Sequence, residues 1–163
     1  MLLENISLRP STPADEDFLR LVYAESRREE LDQVEWPPGQ REAFLRSQFD
    51  AQAAHYLHHY PGAEFSIIEY NSQPAGRLYV RRSPAEIRIM DIAINPDYRS
   101  KGIGTALLEQ IIEEGRAANQ VVSIHVEKFN PALRLYERLG FRAVDDRGAY
   151  WFLEWKGQQA AAR

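Results

Sequence analysis

Three runs rich in β-branched and aromatic residues, over 65–70, 76–82 and 86–94, follow one another with little more than Asn71-Ser72-Gln73-Pro74 and Ser83-Pro84 between them. Connections that short hold turns rather than helices, so the runs predict a meander of three antiparallel strands. In the third run Ile87 and Ile89 share one parity while Ile92 and Ile94 share the other. Side chains alternate faces along a strand, which leaves two readings of that switch. Either one extra residue is inserted near Met90 or Asp91, or the strand is central and buried on both faces.

The meander is flanked by helical periods. On its N-terminal side Ile6 and Leu8 suggest a short strand ending at Arg9-Pro10, and Ser11 to Asp15 carries helix-start chemistry. A first helix is expected over 15–28. Trp36-Pro37-Pro38-Gly39 interrupts the chain, after which Phe44, Leu45, Phe49, Ala53, Tyr56, Leu57 and Tyr60 recur at helical spacing up to Pro61-Gly62. On the C-terminal side Leu107, Leu108, Ile111 and Ile112 mark an amphipathic helix, and 121–126 is a compact strand. Asn130-Pro131 pairs a favoured N-cap with a favoured first helical residue, and Gly140 suits the end of that helix. Residues 141–144 and 150–155 then read as a final hairpin. The order β-α-α-β-β-β-α-β-α-β-β predicts an α/β (α+β) domain over 1–156: a mixed, mostly antiparallel sheet of about six or seven strands with about four helices. Residues 157–163 are expected to be a frayed tail.

Composition narrows the chemistry. The absence of cysteine removes disulfides, thiolate nucleophiles and cysteine-ligated metal sites. Neither a secretory leader nor a membrane span is recognisable, so a cytoplasmic location without a membrane partner is expected. The net charge is −4, yet residues 77–101 hold six cations against three anions, leaving that segment at +3 and the remainder at −7. Such a balance disfavours nucleic acid and suits a small polyphosphate ligand, although scattered surface charge explains it as well.

The most informative stretch is Ile92-Ala93-Ile94-Asn95-Pro96-Asp97-Tyr98-Arg99-Ser100-Lys101-Gly102-Ile103-Gly104-Thr105-Ala106-Leu107-Leu108. A strand enters a loop with two glycines and a helix leaves it. Glycine lets backbone N–H groups approach an anion, and a helix N-terminus favours negative charge, so a pyrophosphate fits. The nucleotide P-loop order is not present. The dinucleotide fingerprint could begin at Gly102-Ile103-Gly104 with Glu127 imitating its ribose acid, but its third small position is Leu107.

Arg99-Ser100-Lys101-Gly102-Ile103-Gly104 resembles the acetyl-CoA signature of the GNAT superfamily of N-acetyltransferases, Arg/Gln-x-x-Gly-x-Gly/Ala. Downstream, Asn130-Pro131-Ala132-Leu133-Arg134-Leu135-Tyr136-Glu137-Arg138-Leu139-Gly140-Phe141 is similar to the family's Asn-x-x-Ala-x-x-Leu-Tyr-x-x-x-Gly-Phe, with one residue fewer between Asn130 and Ala132. The resemblance implies that Arg99, Ser100, Lys101, Gly102, Ile103, Gly104 and Thr105 wrap the pyrophosphate of acetyl-CoA. It further implies that Ile92, Ala93 and Ile94 pair with the pantetheine arm, in a split between strands 86–94 and 121–126, and that Asn130 hydrogen-bonds it. Tyr136 would then donate a proton to the departing thiolate, and the Ile92 N–H would be a donor to the thioester oxygen. Without that context, Tyr136 reads as an aromatic on the apolar face of its helix.

The implied activity is acetyl transfer to a primary amine; a coenzyme A-binding sensor or scaffold is the alternative. Glu86, at the position of the glutamate that several relatives use, is the candidate general base, with Glu64, Glu69, Asp91 and His125 as competitors. His55, His58 and His59 have no companion ligand at metal spacing, and no metal is expected. Trp36 and Glu35 could line an acceptor pocket, although a capping aromatic is the commoner role. The acceptor amine is not encoded in any motif, and an exposed final hairpin could support a homodimer.

Overall fold

The computed structural model describes residues 4–157; the tail expected over 157–163 lies, apart from Gly157, outside the described residues. β1 (Ile6–Pro10) leads through a short 3-10 turn into α1 (Glu16–Ser26), the one-turn α2 (Arg28–Leu31) and the long α3 (Gln40–His59). Where a single helix over 15–28 is expected, two form. Arg27 sits between them at φ −104° and ψ 1°, and the Ser26 hydroxyl donates to the Tyr23 carbonyl at 2.6 Å. The same carbonyl also accepts the Arg27 N–H at 3.2 Å, an N–H shared with the Ala24 carbonyl at the end of α1. The described residues therefore form five α-helices where about four are expected.

The meander forms as its spacing predicts: β2 (Glu64–Tyr70), β3 (Gln73–Arg82) and β4 (Glu86–Ile94) pair antiparallel in turn, and β1 joins β2. After β4 the chain crosses through α4 (Ile103–Ala118) and returns as β5 (Val121–Glu127), parallel to β4. α5 (Leu133–Arg138) begins three residues beyond Asn130, because Asn130 caps a preceding turn: its Oδ1 accepts the Ala132 N–H at 2.8 Å and its carbonyl accepts the Leu133 N–H at 3.0 Å. The hairpin of β6 (Arg142–Arg147) and β7 (Tyr150–Trp155) completes a seven-stranded sheet in the order β1-β2-β3-β4-β5-β7-β6.

One face of this sheet carries the larger core. Ile68, Leu78, Val80, Ile87, Ile89, Val122, Ile124 and Leu153 pack against Leu107, Leu108, Ile111 and Ile112, the stripe that the helical period of α4 presents. Burying each such side chain contributes about 1.5–3 kcal/mol. α4 lies so close to β5 that a Cβ at Gly115 would meet Val122 Cγ2 at 2.8 Å. On the opposite face α1 and α3 form a smaller core with β2 through Leu19, Tyr23, Phe49 and Ile67, and α1 also contacts β3 and β4. β6 stands at the sheet edge with all its residues exposed. Among the described residues no helix is long and apolar enough to cross a membrane.

Candidate active site

The parity switch in β4 is a bulge. Tyr79 pairs with Asp91 and the next residue, Val80, pairs with Ile89, so Met90 is the residue in excess. The insertion lets Ile87 and Ile89 on one side of it, and Ile92 and Ile94 on the other, all reach the α4-side core. It also ends the parallel ladder: β4 and β5 pair from Glu86↔Val121 to Ile89↔Ile124 and no further. Beyond that point β4 continues only with β3, as far as Gly76↔Ile94, and β5 only with β7, as far as Glu127↔Tyr150. The sheet is split there, and the facing edges of Ile92, Ala93 and Ile94 and of Val126 and Glu127 keep backbone groups outside any ladder. Gly76 allows the arrangement, since a Cβ at this position would fall 2.3 Å from the Ala93 carbonyl oxygen.

The loop that leaves β4 is held from below. Asn95 is buried, its N–H donates to the Ala75 carbonyl at 2.7 Å and its Oδ1 accepts the Asp97 N–H at 3.0 Å. Arg99 Nε donates to the Ile94 carbonyl at 3.2 Å. Ser100 and Gly102 then adopt left-handed φ values of 65° and 78°, an unusual conformation for serine that turns successive amides toward one side. α4 starts at Ile103 with no side-chain cap. Its first bond is Ala106 N–H to the Gly102 carbonyl, so the amides of Ile103, Gly104 and Thr105 have no partner within the helix. A Cβ at Gly102 or Gly104 would meet nothing within 4 Å. Open space above three free amides, at the positive end of a 16-residue helix, fits a pyrophosphate.

Tyr136 of α5 is 5% exposed and packs edge-on against Phe141, with ring centroids 5.7 Å apart. Its hydroxyl makes no hydrogen bond among the described residues. Burial, and secondarily the charge of Asp91, push the phenol above its ordinary range, so it stays protonated at neutral pH. Asp91 itself, at the bulge, is ion-paired to the buried Arg77, whose Nη2 also donates to Gln52 Oε1 at 3.0 Å. A split parallel strand pair, an uncapped helix N-terminus after the bulged strand and a neutral tyrosine beside it form one constellation. The model of the acetyltransferase (GNAT) family matches residues 26–141.

The chain belongs to the GNAT family. Over 117 residues it is 31% identical to the N-alpha-acetyltransferase RimI of Mycobacterium tuberculosis, a match spanning 71% of this chain and 67% of that protein. It is 37% identical over 68 residues to the ribosomal protein bS18-alanine N-acetyltransferase of Escherichia coli K12, spanning 40% of this chain and less than half, 46%, of that one. The fold superposes on the PaiA N-acetyltransferase of Thermoplasma acidophilum in complex with coenzyme A, with a TM-score of 0.68 at 19% identity, covering 93% of this chain and 98% of that one. A GNAT acetyltransferase of Elizabethkingia anophelis with acetyl-CoA bound gives a TM-score of 0.59 at 19% identity, covering 94% and 99%.

Within the GNAT fold the remaining candidates separate. Asn130 uses its side-chain carbonyl on Ala132, and its amide NH2 has no partner among the described residues. Glu86 stands at the closed end of the split, paired across to Val121, roughly 20 Å of strand from Ile92. Its carboxylate accepts from Arg88 Nη2 at 3.0 Å and from the Ser123 hydroxyl at 2.7 Å. Glu64 pairs with Arg82 and Glu69 with Arg9. His125 Nε2 lies 3.0 Å from Arg147 Nη1, and burial, then Arg88 and Arg147, lower its pKa. Trp36 donates from Nε1 to the Leu31 carbonyl at 2.9 Å and packs on Phe44, the capping role. His55 and His59 stack at 4.2 Å on α3, and among the described residues no three His, Cys, Asp or Glu side chains gather as a metal site. Sequence reasoning missed the left-handed Ser100 and the Arg77–Asp91 pair; the second had a weak signal, opposite charges on two adjacent strands.

Proposed function

We propose that this chain transfers the acetyl group of acetyl-CoA to a primary amine, by direct attack of the neutral amine on the thioester. The observation that carries the reading is the uncapped N-terminus of α4 at the mouth of the β4–β5 split. The amides of Ile103, Gly104 and Thr105, together with Arg99, Ser100, Lys101 and Gly102, would hold the pyrophosphate. The free edge of Ile92, Ala93 and Ile94 would pair with the pantetheine arm, with the Asn130 amide as a further donor. Bound acetyl-CoA supplies an acyl group on a thiolate leaving group. The Ile92 N–H is the proposed donor to the thioester oxygen, and the Tyr136 phenol, kept neutral by burial, supplies the proton that the sulfur needs. Solved neighbours described with coenzyme A and with acetyl-CoA support the cosubstrate. The names of the two curated relatives, an N-alpha-acetyltransferase and a bS18-alanine N-acetyltransferase, support an amine acceptor and bring α-amines into the set to be tried.

Calorimetric titration with acetyl-CoA, with NAD and ATP as controls, tests the reading first. Saturable binding of acetyl-CoA alone is expected; its absence overturns the assignment of residues 99–105. Thiol release is then followed with peptides bearing free N-termini, lysine, a polyamine and an aminoglycoside. Because the chain has no cysteine, a thiol reagent reports released coenzyme A without background from the protein.

A further inference from the structure

Along β5, Val122, Ile124 and Val126 enter the α4-side core, so Ser123, His125 and Glu127 lie on the opposite face. Glu127 is the last residue of β5, three positions beyond the end of the β4 ladder at Ile124. It therefore sits at the open end of the split, on the face away from α4, paired across to Tyr150 of β7. The charges that act on it come from three elements: Asp91 on β4, Glu30 on α2, and Arg27 between α1 and α2.

Each of those neighbours already has a partner. Asp91 is held by Arg77. Glu30 receives both Nε and Nη2 of Arg27 at 3.0 Å, and Arg27 Nη1 is taken up by the Tyr23 hydroxyl at 2.7 Å. Farther along the same face, Glu86 is held by Arg88 and Ser123, and His125 abuts Arg147. Glu127 is half-buried and its carboxylate has no hydrogen bond or ion pair among the described residues. Burial first, then the charges of Glu30 and Asp91, raise its pKa, with Arg27 offsetting part of the effect. A half-buried carboxylate without a counter-ion is destabilising in the free protein and attracts a cation from outside.

We propose that Glu127 receives the ammonium group of the acceptor at the mouth of the split and takes its proton. The proposal rests on the acetyl-transfer reading above. The Glu127 carboxylate accepts one proton from R–NH3+, giving a neutral carboxyl and R–NH2. The nitrogen lone pair forms a C–N bond to the thioester carbonyl carbon as the C–S bond breaks, and that electron pair leaves on sulfur. Tyr136 protonates the sulfur and recovers a proton from the nitrogen, and Glu127 returns its own to solvent. The balance is ammonium plus thioester giving amide, thiol and one proton. An arylamine, uncharged at neutral pH, brings nothing to the carboxylate.

The test is a carboxyl-carbon NMR titration of the full chain labelled at glutamate, with Glu127 assigned through Glu127→Gln. Expected is a Glu127 midpoint above the ordinary glutamate value, lowered by n-butylammonium chloride but not by aniline or by sodium chloride at equal ionic strength. A Glu127 signal indifferent to n-butylammonium overturns the proposal, whether or not the enzyme turns over. With an amine found by thiol release, Glu127→Gln should lower kcat/KM by about 10²–10⁴-fold and remove the acidic limb of its pH profile, while acetyl-CoA binding is unchanged. Glu127→Asp should keep that limb. The variant should also melt higher than wild type near neutral pH: a carboxyl whose folded pKa is raised loses stability as pH rises through that pKa, and glutamine removes the loss. Failure of acetyl-CoA binding refutes the acetyl-transfer reading; retained kcat/KM and acidic limb in Glu127→Gln refute the role of Glu127 alone.

Discussion

The hydroxyl of Tyr136 makes no hydrogen bond among the described residues, although its side chain is buried. Tyr136→Phe keeps the ring and its contact with Phe141 and removes only the proton. Its melting temperature and its acetyl-CoA affinity, read by thermal denaturation and calorimetry, should match wild type, while kcat falls by about 10²-fold or more. The sequence could single out this tyrosine because Leu135-Tyr136 and Gly140-Phe141 are close neighbours in the chain. Glu127 was visible only as an acid after a strand, since its isolation depends on Arg27 and Arg77 being spent on Glu30 and Asp91. Which acid lacks a partner is a property of pairings between distant elements, and no spacing records it. The partner of Glu86 is hidden in the same way, since Ser123 belongs to another strand.

Among the elements, the ladder between β3 and the second half of β4 is reinforced by the Arg77–Asp91 ion pair. Arg77 is 2% exposed and Asp91 half-buried, so Arg77→Met would leave a carboxylate without compensation at the bulge. Unfolding in urea should show a loss of about 3–5 kcal/mol. Restoring neutrality with Asp91→Asn in the same chain should recover part of it. The meander and α4 were legible because each follows from a period within a dozen residues, and the parity switch in β4 left the bulge as one of two readings. The break between α1 and α2 was not, because it lies in the backbone angles of the single residue Arg27, which no period marks.

At the scale of the molecule, β1 is tied to the start of α1 by Arg9, which forks onto Asp15 at 2.8 and 2.9 Å and reaches Glu69 on β2. Asp15 also accepts the Thr12 N–H at 2.8 Å. These bonds, that from Arg9 foremost, hold the Asp15 carboxyl well below the usual range. Its contribution is therefore complete above the ordinary aspartate pKa of about 4 and is lost as pH falls toward the folded value. Thermal melts should show wild type above Asp15→Asn by a constant margin at neutral pH, narrowing only in acid.

The width of the cleft is not a continuous quantity. Asp91 and Ile92 already occupy the faces that plain alternation from Ile89 would assign them if Met90 were deleted. A chain shorter by that one residue would keep every side chain of β4 on its present side and let the β4–β5 ladder run on past Ile124. Opening and closure of the sheet thus differ by an integer, one residue in a strand of nine. Substitutions along the rim can change what enters the cleft, but only insertion or deletion can change whether it exists.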